Sequence, residues 1–183
     1  MASTGKAASK ELSARVAASL ARRIAAADTL SLGLSGGRDS VVLFDLLLEL
    51  RAPLAFDLRC VHVHHGLSAH ADDWAGFCER LCAEHGVPLV VERVAVARDD
   101  ARGLEAAARA ARQAVFARQP GWLVTAHHRD DQAETLLLQL LRGAGPKGLA
   151  AMAQARGRTL RPLLDASRAD IDACARERGL RWV

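Results

Sequence analysis

Short apolar runs bounded by turn residues fall at positions 30–34, 58–63, 88–94, 122–126 and 159–163, and helical patterns at 40–50, 71–85, 104–118, 132–142 and 168–178 lie between and after them. This alternation constrains the fold more than any other property of the chain. Strands joined through helices run parallel by right-handed crossovers, and their apolar character on both faces requires cover on both sides. The expected fold is therefore α/β, a five-stranded parallel sheet in the order 3-2-1-4-5 with helices on both faces. In such sheets ligands lie at the carboxyl ends of the strands where the order reverses, here between the first and fourth strands. A leading helix over 9–27 stands outside the alternation, residues 1–10 read as a disordered tail, and 11–183 read as one domain.

With 183 residues, half of them apolar, the chain can bury a full core. The net charge of +4 is carried almost wholly by arginine, the lysines being Lys6, Lys10 and Lys147. That balance permits a polyanionic partner without demanding one. Tyrosine is absent and aromatics make up 4 %, which argues against a platform for stacking bases, so any RNA is expected to be held through its phosphates. The apolar stretch after Lys10 is interrupted by Arg15, Arg22, Arg23 and Asp28, and no segment has the length of a membrane span. A cytoplasmic protein with no membrane partner is expected. Cys60, Cys78, Cys82 and Cys174 lack Cys-x-x-Cys spacing and read as small buried hydrophobes.

The hexapeptide Ser35-Gly36-Gly37-Arg38-Asp39-Ser40 follows the first apolar run and opens the first internal helix. Paired glycines let a backbone approach an anion, helix-start amides point at it, and Ser35 and Ser40 bring hydroxyls. There is no lysine of the Gly-x-x-x-x-Gly-Lys kind. Asp39 instead suggests a magnesium-assisted nucleotide site that cleaves between the α and β phosphates and releases pyrophosphate. The plainer alternative is a tight turn with a helix cap.

A second cluster, Thr125-Ala126-His127-His128-Arg129-Asp130-Asp131-Gln132-Ala133-Glu134-Thr135, follows the fourth run. Asp131 and Glu134 share a face of one turn and suit a magnesium ion or a cationic amine, or form a capping box. His127 and His128 read as substrate positioners rather than zinc ligands. His62, in Val61-His62-Val63-His64-His65-Gly66, is either a core histidine or a neighbour of an adenine ring. Glu105, Arg109 and Arg112 fall on one helical face, and with Arg142 the arginines either make an exposed ion-paired surface or converge on phosphate.

Together with Leu-Glu-Ala-Ala-Ala-Arg-Ala-Ala-Arg over 104–112, Leu-Leu-Arg-Gly-Ala-Gly over 140–145 and Arg-Pro-Leu-Leu over 161–164, these segments resemble the tRNA(Ile)-lysidine synthase family, from about Leu30 to Val183. Its catalytic domain is a Rossmann-like adenine nucleotide α-hydrolase, or PP-loop, fold. The resemblance implies ATP-dependent adenylation of C2 of the wobble cytidine of tRNA(Ile) with a CAU anticodon, then displacement of AMP by free L-lysine to form lysidine. It further implies Ser35 to Ser40 at the ATP phosphates, Asp39 at Mg2+, Asp131 and Glu134 at lysine or metal, and Arg109 or Arg112 at the phosphates or the activated base; His62 and Arg142 are also expected at ATP, and His127 and His128 at the substrate. A homodimer is compatible with it. Gly33 departs from the alanine that often precedes this loop in the family, and the chain stops at Val183, before the family's Asp-Pro-Ser/Thr-Asn segment and tRNA-binding domains. A catalytic-domain fragment is expected. The competing expectations are another PP-loop adenylating enzyme and a nucleotide-binding module without turnover.

Overall fold

The computed structural model describes residues 5–97, 99, 101, 103–141, 143, 145 and 152–183. Helix α1 (Gly5–Ala21) leads into strand β1 (Thr29–Gly33), helix α2 (Arg38–Arg51), strand β2 (Asp57–His64), helix α3 (Ala71–Glu84) and strand β3 (Leu89–Arg93). Helix α4 (Leu104–Ala117), strand β4 (Trp122–Val124), helix α5 (Arg129–Leu141), strands β5 (Ala155–Arg156) and β6 (Thr159–Leu160) and helix α6 (Arg168–Glu177) complete it.

The sheet has six strands in the order β3-β2-β1-β4-β6-β5, which corrects the expected five-stranded order 3-2-1-4-5. The first four positions follow the expectation, and all pairs among β3, β2, β1, β4 and β6 are parallel. The extra strand is β5, which runs antiparallel to β6 with Arg156 opposite Thr159. Only Gly157 and Arg158 separate the two strands, and Gly157 takes a positive φ of 55° to make the tight reversal. Two residues of strand are too few to show alternation in the sequence.

The central strands are buried as their apolar runs require: Leu30 and Leu32 of β1 and Cys60 of β2 have no exposed surface. Ser31, equally buried, donates its hydroxyl to Pro120 O at 2.7 Å, which satisfies the one polar side chain in the middle of β1. Helix α1 begins at Gly5 and ends at Ala21, so residues 5–10 are helical rather than tail, and the expected extension to residue 27 is replaced by a turn with Ala27 at φ 68°. Its early start has a tertiary cause. Leu12, Val16 and Leu20 are buried in one core with Ile171, Cys174 and Ala175 of α6, at about 1.5–3 kcal/mol for each large side chain. Ser9 N donates to Glu177 Oε2 at 3.0 Å, and Arg178 reaches Ser9, Asp45 and Glu49 at once, joining α1, α2 and the end of α6.

Helix α5 differs from the others in having no buried residue, and Leu137, Leu138, Leu140 and Leu141 are exposed. All four cysteines are buried and unpaired. No helix among the described residues is long and apolar enough to cross a membrane.

Candidate active site

At the carboxyl ends of β1, β2, β4 and β6 lies a cavity of about 660 Å³, in the range of small-ligand sites. Its wall includes Ser35, Gly37, Asp39 and Ser40 from the turn after β1 and Thr125, His127 and Asp131 from the turn after β4. The two polar turns thus border one cleft, as the reversal of strand order between β1 and β4 dictates.

The first turn is shaped by its own serines. Ser40 Oγ donates to Gly37 O at 2.8 Å, Ser35 Oγ lies 3.0 Å from Ser40 Oγ, and Gly37 N donates to Ser35 Oγ at 3.3 Å. Both hydroxyl protons are therefore used within the turn. Gly36 has φ 85°, and a Cβ there would stand 3.0 Å from Val183 Cγ2 and 3.3 Å from Cys78 Sγ. Val183 N closes the turn from above by donating to Gly36 O at 3.2 Å. Gly37 precedes α2 with extended backbone, so the positive end of that helix opens on the cavity.

Asp39 is held on both oxygens. Its Oδ1 accepts from Arg38 Nε and Nη2 at 2.9 Å, and its Oδ2 lies 3.4 Å from His128 Nε2. Arg38 is turned away from the cavity wall, its Nη1 2.5 Å from Asp172 of α6. Its position after two glycines suggested a phosphate ligand, but its guanidinium links the loop to α6 instead.

His128 begins α5. Its Nδ1 accepts from Asp130 N at 3.2 Å, so the ring proton resides on Nε2, which faces Asp39 Oδ2 and, at 3.8 Å, Asp131 Oδ2. Asp131 Oδ2 in turn accepts from His128 N at 2.8 Å. Asp131 caps the helix from its third position, with His128 at the cap, because α5 starts at Arg129 rather than at 132. Glu134 has no part in that cap and is exposed, away from the cavity lining.

His127 lines the cavity, and its Nδ1 lies 2.9 Å from Thr125 Oγ1. Burial holds its pKa below the usual histidine value, and Arg161, Arg112 and Arg109 add to the effect while Asp131 opposes it. His62, also in the lining, has Nδ1 2.8 Å from Leu34 O and is kept neutral chiefly by burial. Arg112 lines the cavity, whereas Arg109 is exposed beside it. Arg142 lies outside the described residues. Sequence reasoning missed Trp74, Phe116, Val183 and, as a site residue, Arg161, all of which line the cavity. Only Arg161 carried a signal, as a charged residue just past a strand. Gly33 is accounted for by Phe116, whose Cζ would stand 2.9 Å from a Cβ at that position.

The donor set suits a magnesium nucleotide. Among the described residues no group of three or more histidine, cysteine or acidic side chains forms a cage of its own. Magnesium is commonly held by one or two carboxylates with substrate phosphates and water completing the shell, and Asp39 and Asp131 beside an anion-binding turn fit that arrangement.

A parallel sheet with a glycine turn for phosphates and an acidic corner across the cleft defines an ATP-binding domain of the PP-loop class, and the chain belongs to that family: the model of the PP-loop domain matches residues 8–183. Among curated proteins it is similar to the tRNA(Ile)-lysidine synthase of Azoarcus sp. (strain BH72), 53 % identical over 170 residues that make up 89 % of this chain and 38 % of that protein. The enzyme of the same name from Shigella flexneri is 48 % identical over 172 residues, 90 % of this chain and 40 % of that protein. The chain thus spans about two fifths of the length of these relatives. Among solved structures, the U34-tRNA thiolase NcsA from Methanococcus maripaludis shares the fold with a TM-score of 0.83 at 19 % identity, over 97 % of this chain and 66 % of that one. An NH3-dependent NAD synthetase from Campylobacter jejuni does so at 0.60 and 17 %, over 98 % and 76 %.

Proposed function

We propose that this chain is the ATP-binding, adenylating part of a tRNA(Ile)-lysidine synthase. The observation that carries the reading is the pair of carboxylates, Asp39 and Asp131, brought from two different turns to one histidine nitrogen at the edge of the cavity. The turn from Ser35 to Ser40 and the start of α2 hold the triphosphate of ATP. Asp39, with Asp131, binds Mg2+, which supplies charge neutralisation for the departing pyrophosphate.

In the first step O2 of the wobble cytidine attacks the α-phosphorus of ATP. The bond to the β-phosphate oxygen breaks, and pyrophosphate leaves toward the helix end. In the second step the side-chain amine of lysine attacks C2 and AMP leaves with the C2 oxygen. The amine, with an ordinary pKa near 10.4, must lose a proton before it attacks, and Asp131 and His127, both in the cavity lining, orient it and accept that proton. Arg112, which lines the same cavity, offsets charge on the activated base or its phosphate. The whole enzyme acts in the cytoplasm on tRNA(Ile) with a CAU anticodon.

The test is a mass-spectrometric assay for AMP and lysidine with ATP, Mg2+, lysine and a wobble-cytidine tRNA transcript, using the chain alone and the chain extended past Val183. AMP formation that depends on the transcript, with lysidine made efficiently by the longer protein, is the expected result. AMP formed only with another acceptor would favour a different PP-loop adenylating enzyme. ATP binding with no AMP under any acceptor would favour a module without turnover.

A further inference from the structure

Among the described residues, two buried polar atoms on the cavity lining have no hydrogen-bond partner, Arg161 Nε and His65 Nδ1. Arg161 is the more telling, because its surroundings are basic. It follows β6 directly, level with Thr125 of the neighbouring strand, whose N–H donates to Leu160 O at 3.0 Å. Its Nη1 is tied to Ala153 O at 2.8 Å, which fixes the guanidinium against the β5 side of the cleft. Burial, together with the positive charges of Arg156 and Arg109, disfavours its charged form, and burial with Arg109 does the same to Arg112. Among the described residues no carboxylate lies within ion-pair distance of Arg109, Arg112 or Arg161. Like charges partly removed from water, with no carboxylate paired to them among the described residues, are unfavourable unless an anion joins them.

We propose that Arg161, together with Arg112, forms a second anion subsite in the cleft, which holds a phosphodiester of the RNA whose base is modified. The subsite rests on the reading of the cavity as an adenylating site for RNA. Its position separates it from the ATP tail. The glycine turn follows β1, and β6 is two strands away, about 10 Å at the usual spacing of neighbouring strands. Asp39 and Asp131 stand at the β1 and β4 turns, so Arg161, after β6, lies beyond the carboxylates from the glycine turn, and Arg112 lines the same cavity from α4. Arginine suits the task, since its planar fork grips a phosphate through two donors, and Nε is one of them.

The experiment measures two affinities of the chain, for ATP and for a CAU anticodon stem-loop RNA, in wild type, Arg161→Ala, Arg161→Lys and the exposed basic control Arg176→Ala, with melting curves for each. The expected result is about tenfold weaker RNA binding for Arg161→Ala with ATP affinity unchanged. The slope of log K against log salt should shrink by about 0.7–0.9, as for one lost phosphate contact. Arg161→Lys should fall between, and Arg176→Ala should match wild type. Weaker ATP binding with RNA affinity intact would overturn the proposal in favour of a subsite for the nucleotide tail. Equal affinities in all four proteins, or a wild-type chain that binds ATP but no RNA, would also overturn it. A wild-type chain that binds no ATP would instead overturn the adenylating reading itself.

Discussion

Nε2 of His128 lies 3.4 Å from Oδ2 of Asp39, although the two residues belong to different strand-to-helix turns. The contact exists because β1 and β4 are neighbours, so the turns that follow them meet. His128 has its other nitrogen engaged by Asp130 N, which leaves its Nε2 proton for the carboxylates and makes it the joint between the two halves of the cleft.

Asp39→Ala should keep the fold and abolish turnover. The side chain is partly exposed and its removal leaves Arg38 still paired with Asp172. A loss of at least about 100-fold in AMP formation is expected, the scale of removing a group that acts on developing charge. Circular dichroism and an AMP assay check both halves, and near-normal AMP production would count against the site.

Arg38→Ala separates a structural from a ligand-binding role. Its guanidinium joins Asp39 to Asp172 and does not line the cavity, so the main effect should be on stability, about 1 kcal/mol for a partly exposed pair. ATP affinity should change less than about threefold. Urea unfolding and calorimetric titration measure the two, and a large loss of ATP affinity in a protein of normal stability would show that Arg38 contacts phosphate.

Stability should fall as pH is lowered through 6.5. His62, His65 and His127 are each held below the ordinary value of 6.5, chiefly by burial. Below 6.5 the unfolded chain takes up protons that the folded chain resists, so the stabilisation is complete above that pH and is lost as pH drops. Around His62, the hydrogen bond to Leu34 O and the charge of Glu79 oppose the effect of burial and His64 adds to it, and burial prevails. Melting temperatures between pH 7.5 and 5.5 should decline for wild type and less steeply for His62→Gln. A flat profile in wild type would contradict the burial of these rings.

Gly121→Ala and Gly33→Ala should differ sharply. At Gly121, φ is 66° and a Cβ would stand 1.9 Å from the carbonyl oxygen of Thr29, a backbone atom of the central strand. The chain should fail to fold or lose roughly 4 kcal/mol or more. At Gly33 the obstacle is the tip of the Phe116 ring, which can rotate into the cavity, and the cost should stay below about 1.5 kcal/mol. Equal stabilities of the two variants in thermal melts would refute this account.

The parallel core, the helices around it and the two polar turns were legible in the chain itself, because each rests on a local property: apolar runs, helical spacing, paired glycines before a helix. The order of the first four strands was also legible, since a glycine turn that binds phosphate needs a neighbour across a reversal. Local patterns did not reveal β5, whose two residues have no period, or the helical start at Gly5, which depends on α6 far along the chain. Nor did they reveal where the side chains of Arg38, Glu134 and Asp131 point once the sheet is assembled: Arg38 to Asp172, Glu134 to solvent, Asp131 to His128 and the cleft. Sequence spacing sets which residues share a turn, but the direction of a charged side chain depends on which distant group lowers its energy, and that group exists only in the folded chain.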